Sequence, residues 1–198
     1  VTSATTRLSF DDLPLEGKVV VGARRSIARW GWRRTSVDDI ARDAALSRAS
    51  VYRAYPGGKD AVGAALLDFE RAEFRNVVER CARPTLDDTL VALFVAVGSW
   101  FAGHNALAFM LQHEQELVGP YLGFAAGDAV VAEAAAMVAP ILSPFVDPAE
   151  LARATDWLLR LLRSHLLDPS AFVALADTDS VRRLVTTFVL PALAPLPV

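Results

Sequence analysis

Apolar residues recur at three- and four-residue steps through most of the chain, and strand-like alternation bounded by turn clusters is absent. Val20, Ala23, Ile27 and Trp30 mark one such face. They predict a first helix over 14–30, stopped at Gly31. Ser36 reads as an N-cap, with Asp39 three residues on completing a capping-box variant. Val37, Ile40, Ala41 and Ala44 supply the inner face of the short helix that follows. Ser47 caps a second short helix, through about Ala54. Only Ala45 and Leu46 lie between the two, so they are expected to meet in a tight helical corner.

Pro56-Gly57-Gly58 breaks the pattern, and a long helix is predicted over 59–82, ended by Pro84. Thr85 with Asp88 is another cap signature and opens a helix to 102. Further helices are predicted over 105–115, 127–139, 148–167 and 180–193. Asp147-Pro148-x-Glu150 is read as the start signal of the 148–167 helix. The 118–127 region, with Gly119, Pro120 and Gly123, gives no assignment. No repeat of 20–50 residues is present. The expected fold class is all-α. A small N-terminal part, residues 1–58, precedes a larger helical part, residues 59–198.

Composition sharpens this picture in one respect. The 198 residues are 53% apolar and carry a net charge of −3, which on its face argues against a nucleic-acid partner. The charges are not evenly spread. Residues 1–60 hold eleven basic and seven acidic groups, a balance of +4, while 61–198 hold nine and sixteen, a balance of −7. From Pro84 to Ala152 there is no Lys or Arg. Such asymmetry predicts two parts with different partners. The single cysteine, Cys81, points to a reducing, cytoplasmic compartment and removes thiol-based metal sites. Residues 1–10 do not read as a signal peptide. The most membrane-like run, 90–102, has 13 residues and falls short of the ~20 a spanning helix needs.

The informative chemistry lies between Gly31 and Lys59. The second short helix offers Arg48, Ser50, Tyr52 and Arg53 outward and turns Val51 and Ala54 inward. A single helix of this kind fits the DNA major groove, where Arg donates two hydrogen bonds to a guanine edge. Arg33, Arg34, Thr35 and Ser36 stand at the start of the bracing helix, and Lys59 at the start of the next long one. Side chains and free N–H groups in such places suit phosphate. The same residues also read as an ordinary solvated face.

At this point the sequence resembles the N-terminal domain of the TetR/AcrR family of transcriptional regulators. Gly31-Trp32-x-x-Thr35-Ser36-Val37-Asp38-Asp39-Ile40-Ala41 is similar to the family's opening helix-turn-helix signature. Leu46-Ser47-Arg48-x-Ser50-Val51-Tyr52-Arg53 is similar to its recognition helix, and Tyr55-Pro56-Gly57-Gly58-Lys59-Asp60 to its junction into the fourth helix. The likeness covers roughly residues 15–70. One departure stands out: Ala45 occupies the turn where the family usually has Gly. If that residue is left-handed, Ala costs on the order of 1 kcal/mol there.

The resemblance implies that 1–58 is an arm plus DNA-binding domain. Ser47, Arg48, Ser50, Tyr52 and Arg53 would face DNA, Arg48 reading a base, while Arg33, Arg34, Thr35, Ser36 and Lys59 would clamp backbone. Ile40, Ala41, Leu46 and Val51 would hold the two helices together. Arg24, Arg25 and Arg29 are expected in solvent. Residues 59–198 would be a ligand-binding and dimerisation domain, and the protein a repressor released from a palindromic operator by a small lipophilic effector. Trp100, Phe101, His104, Phe109, Met110, His113, Tyr121, Phe124, Trp157 and Arg160 are the candidate effector contacts. The scarcity of cations nearby in sequence favours a neutral or cationic hydrophobe, with an acyl chain whose anionic head lies near Arg160 or at the pocket mouth as the alternative, and core filling is the plain alternative for each aromatic. The 148–167 helix is apolar nearly all round and is expected between the core and a second subunit. On that helix Arg160 and Ser164 are expected in buried hydrogen bonds, with a ligand contact as the alternative.

An all-α enzyme or small-molecule-binding protein is the alternative. His113-Glu114-x-Glu116 lacks the second His of a metalloprotease helix, Gly58-Lys59 lacks the rest of a phosphate loop, and no Gly-x-Ser-x-Gly turn occurs. No cofactor and no metal are expected.

Overall fold

The computed structural model describes residues 9–114, 116 and 127–193. Its elements are helical throughout: α1 (Leu15–Arg34), α2 (Val37–Asp43), α3 (Arg48–Ala54), α4 (Gly58–Glu79), α5 (Leu86–Ala102), α6 (Asn105–His113), α7 (Gly127–Leu142), α8 (Leu151–Leu167) and α9 (Thr178–Leu184). A π turn (Val185–Val189) carries α9 into the short α10 (Leu190–Leu193). Compactness divides the chain into two units. One runs through Arg71 and takes in Ala106–Glu114; the other comprises Ala72–Asn105 and the described residues after Glu114. This division differs from the sequence-based one at 58/59, because the first turns of α4 and the whole inner face of α6 pack with the N-terminal helices.

The first unit is built around α1. Val19, Ala23 and Ile27 on its inner face meet Ile40 of α2, Val51 of α3 and Val62 of α4, all at or near zero exposure. Full burial of a side chain of this size favours folding by roughly 1.5–3 kcal/mol. Close approach of α1 to α2 depends on Gly22, where a Cβ would lie 2.7 Å from both the Ala44 Cβ and the Ile40 carbonyl oxygen. Asp43 then ties the two helices. Its carboxylate accepts from Ser26 Oγ at 2.6 Å and from Arg29 at 2.8 Å, and its carbonyl accepts from Arg25 at 3.2 Å. Arg25 and Arg29 are exposed as expected but engaged at Asp43, and Arg24 pairs with Glu70 at 3.3 Å.

The second unit packs α5 as its central helix. Leu90, Phe94 and Val97 are buried on it, with Val78, Leu142, Leu158, Val181, Val185 and Val189 around them. Thr85 caps α5 as the sequence predicts, accepting from the Asp88 N–H at 3.2 Å. Several boundaries differ by a few residues, two of them for a visible local reason. α8 starts at Leu151 rather than 148, because Asp147 closes a separate turn whose carboxylate accepts from the Ala149 N–H at 2.8 Å. α1 does not end at Gly31: the chain kinks there, at φ 75° and ψ 169°, and makes one further turn to Arg34.

The α2–α3 corner shows where local chemistry decides. Ser36 and Asp39 form a reciprocal capping box: the Asp39 N–H donates to Ser36 Oγ at 3.2 Å and the Ser36 N–H to the Asp39 carboxylate at 3.0 Å. α2 ends in a Schellman motif. The Leu46 N–H reaches the Ala41 carbonyl at 2.8 Å and the Ala45 N–H the Arg42 carbonyl at 3.1 Å. This closure places Ala45 at φ 52°, the left-handed region that favours glycine. The departure from the family pattern is therefore a point of backbone strain.

Two outcomes follow for urea unfolding. Ala45→Gly raises stability by about 1 kcal/mol, since it removes the left-handed Cβ penalty. Ser36→Ala lowers it by about 1 kcal/mol. The Ser36 side chain, and then its backbone N–H, hold Asp39 below its ordinary value of 3.8. The box therefore contributes fully above that value and weakens as pH falls through the lower folded one. Equal midpoints for the three proteins at neutral pH contradict this reading of the corner.

Candidate nucleic-acid interface

α3 owes its orientation to one buried residue and one cap. Val51 is fully buried, and the Ser47 Oγ accepts from the Ser50 N–H at 3.1 Å. With that side fixed, Ser47, Arg48, Tyr52 and Arg53 are exposed on the other and Ser50 is half-buried, its hydroxyl 2.9 Å from that of Ser47. Arg48 reaches back to Asp38 at 2.7 Å and lies 5.5 Å from the Tyr52 ring. Both members of the Arg48–Asp38 pair are more than half exposed. A pair of this kind contributes little and exchanges readily for another acceptor.

The approach to α2 carries the remaining expected contacts. Arg33 and Arg34 are exposed at the end of α1. Ser36 is exposed, with its hydroxyl engaged in the capping box. Thr35 is 2% exposed, and its hydroxyl donates to the Gly31 carbonyl at 2.6 Å. Its side chain thus closes the kink rather than facing outward. Lys59 donates to the Arg33 carbonyl at 3.3 Å and sits 4.7 Å over the Trp32 ring. It holds the segment from which Arg33 and Arg34 project. One group here has no counterpart among the contacts the sequence predicts. The Glu114 carboxylate, 6% exposed, accepts from the Trp32 N–H at 2.7 Å and the Arg33 N–H at 2.9 Å. A separation of more than eighty residues leaves no local signal for it.

The ten candidate effector contacts do not form one set. In the second unit Trp100 and Phe101 meet Phe74 and each other edge to face, at ring separations of 5.0–6.4 Å, and His104 lies 4.7 Å from the Trp100 ring. Phe109, Met110 and His113 belong to the first: the Phe109 ring lies against Gly31 and Met110 packs on the first core. Tyr121 and Phe124 lie outside the described residues. Trp157 and Arg160 are exposed on α8, with Arg160 bidentate to Asp156 at 2.8 and 3.0 Å. The expected burial of Arg160 and Ser164 is not found within one subunit, where both are exposed. A groove of about 700 Å3 in the second unit combines Val77, Val91, Val95 and Trp100 with Arg80, Arg83 and Arg182. Folding brings these three arginines to a helix that has none of its own. Among the described residues no His, Cys, Asp and Glu cluster is placed to hold a metal ion, and no helix is long and apolar enough to cross a membrane.

Residues 19–66 match the family model for bacterial regulatory proteins of the tetR family. No curated protein sequence matches the chain. Among solved structures, the fatty acid degradation regulator FadR from Bacillus halodurans is similar, with a TM-score of 0.65 and 16% identity, over 89% of this chain and 96% of that one. The tetR-family repressor AlkX from Dietzia sp. strain DQ12-45-1b, implicated in biodegradation of n-alkanes, gives 0.57 and 16%, over 90% and 94%. A tetR-family transcriptional regulator from Streptomyces coelicolor gives 0.61 and 22%, over 90% and 82%. At these identities the likeness carries the fold. The matched family is one of regulatory proteins, and the match lies within the N-terminal part of the chain.

Arg48→Ala is expected to relax base preference at one position per half-site, at a cost of about 1–3 kcal/mol there. Binding measured against duplexes varied one base at a time checks this. An equal loss on every sequence makes Arg48 a phosphate contact instead.

Proposed function

We propose that this chain, a TetR-family transcriptional regulator by its N-terminal domain, binds a palindromic operator as a homodimer and leaves it when a small lipophilic effector binds. The observation that carries the DNA part is the outward face of α3. Ser47, Arg48, Tyr52 and Arg53 are exposed together on a helix whose other side is locked by Val51. Arg33 and Arg34, at the entrance to α2, suit the flanking phosphates.

Dimerisation is supported by apolar surface in the second unit. Trp157 on α8 is 38% exposed and Phe188 in the π turn 67%, although Leu158, Leu159, Leu162, Val185 and Val189 beside them are buried. Large apolar side chains in water beside a well-packed core mark an association surface. A two-fold pair of reading helices then matches a palindrome by symmetry. Release is a population shift: effector binds the conformation whose reading helices do not fit the operator, and operator affinity falls by linkage. Such a repressor acts in the cytoplasm, where its DNA is.

The effector's apolar body suits the Val77, Val91, Val95 and Trp100 walls of the groove. The fatty-acid and n-alkane associations of FadR and AlkX support a lipophilic class. Its head group has two readings. Sequence proximity favours a neutral or cationic head, whereas Arg80 and Arg83, with Arg182 already paired to the groove's own Asp88 at 3.4 Å, favour an anionic one.

Sizing in solution is expected to give a dimer, and Phe188→Glu a monomer that binds operator more weakly. A monomeric wild type contradicts the symmetric reading. Dodecanoate and dodecanol, which share a chain length, separate the head-group readings. Weakened operator binding with dodecanoate alone selects the anion, and tighter binding with both overturns the repressor.

A further inference from the structure

At Gly31 the backbone leaves the helical path, with φ 75° and ψ 169°, a conformation essentially confined to glycine. The turn that follows starts afresh, so its first N–H groups need acceptors from elsewhere. Glu114, the residue after α6, supplies both. One carboxylate oxygen takes the Trp32 N–H at 2.7 Å and the other the Arg33 N–H at 2.9 Å. The Glu114 N–H is itself bonded to the Met110 carbonyl at 2.8 Å, which anchors the carboxylate to the end of α6. A Cβ at position 31 would lie 2.7 Å from the Glu114 carboxyl carbon and 2.7 Å from the Phe109 ring. The kink and the carboxylate therefore fit each other.

The remaining polar atoms of this segment are held as well. Thr35 Oγ1 closes on the Gly31 carbonyl at 2.6 Å, and Lys59 Nζ on the Arg33 carbonyl at 3.3 Å. Residues 31–35 are thus pinned through donors and acceptors alike. Outward from that pinned turn stand Arg33 and Arg34, and directly after it comes the Ser36 cap of α2.

We propose that Glu114 is a positioning residue for DNA binding: its buried carboxylate fixes the turn that aims Arg33 and Arg34 at the phosphate backbone. The inference rests on the DNA-binding reading above. Glu114 would thus serve DNA binding through the backbone rather than oppose it through charge. Two effects of removing that charge have opposite signs, which makes the role separable. By charge alone, Glu114→Gln removes an anion near phosphate and tightens binding. By position, the amide leaves one oxygen and sets an NH2 group against a backbone N–H, so the turn loosens and binding weakens.

The test uses the full chain and 30-base-pair duplexes that the wild type selects from a random pool. Glu114→Gln is expected to weaken binding about tenfold, as loss of one buried charge-assisted acceptor implies. In an Arg33→Ala/Arg34→Ala background the same substitution is expected to cost less than about twofold, because the side chains it positions are gone. Circular dichroism and thermal unfolding confirm that each variant is folded at the assay temperature. If Glu114→Gln is not, Glu114→Asp, which keeps the charge but shortens its reach, is read in its place with the same expectation. Unchanged or tighter binding by a folded variant overturns the proposal. So does an equal loss in both backgrounds, which would make Glu114 a general stabiliser of the unit. Failure of the wild type to bind any duplex instead removes the DNA-binding reading on which the proposal rests.

Discussion

A helix of seven residues does not persist alone in water, because nucleation costs more than so few hydrogen bonds return. α2 and α3 are each that short. They exist because Ile40 and Val51 are driven fully into the same core against α1, and because Ser36 and Ser47 satisfy their first N–H groups. The rest of the reading face follows from this constraint. Once the inner sides of α2 and α3 are committed to the core, Arg48, Tyr52 and Arg53 have nowhere to point but outward. Asp43 adds the lateral restraint by binding Ser26 and Arg29 of α1 from the end of α2.

Charge in this unit has two uses that the net figure conceals. Asp38, Asp39 and Asp43 each meet a neighbouring arginine, and Asp39, through its cap, and Asp43 hold helices in place. Arg33, Arg34 and Arg53 project from the surface. Part of the positive charge of residues 1–60 is therefore exposed on the surface that would meet phosphate. Glu114 extends the pattern from a distance. It arrives on α6, a helix entered from the second unit and packed in the first.

Local features were legible in the sequence. The caps at Ser36, Ser47 and Thr85, and the strain at Ala45, depend on residues within five positions of each other. What the sequence hid is long-range. The Glu114 bonds span 81 and 82 positions. The groove arginines come from the α4–α5 connection and α9, so a cation-free stretch of sequence did not mean a cation-free surface. Eight of the ten candidate effector residues lie along 100–124 in sequence, and the fold places the described ones of these in two units. The Asp147-Pro148 signal is a true turn former that closes one turn ahead of α8. The π turn at Val185–Val189 is an insertion in the helical register, and an insertion leaves the apolar periodicity around it nearly intact.

The central claim is that α3 reads the major groove and does so twice, through a symmetric pair of chains. Selection of bound duplexes from a random pool tests it most directly. Two inverted half-sites should emerge, centred about 10 base pairs or a multiple of that apart. Enrichment of a single asymmetric site, or none at physiological salt, contradicts it.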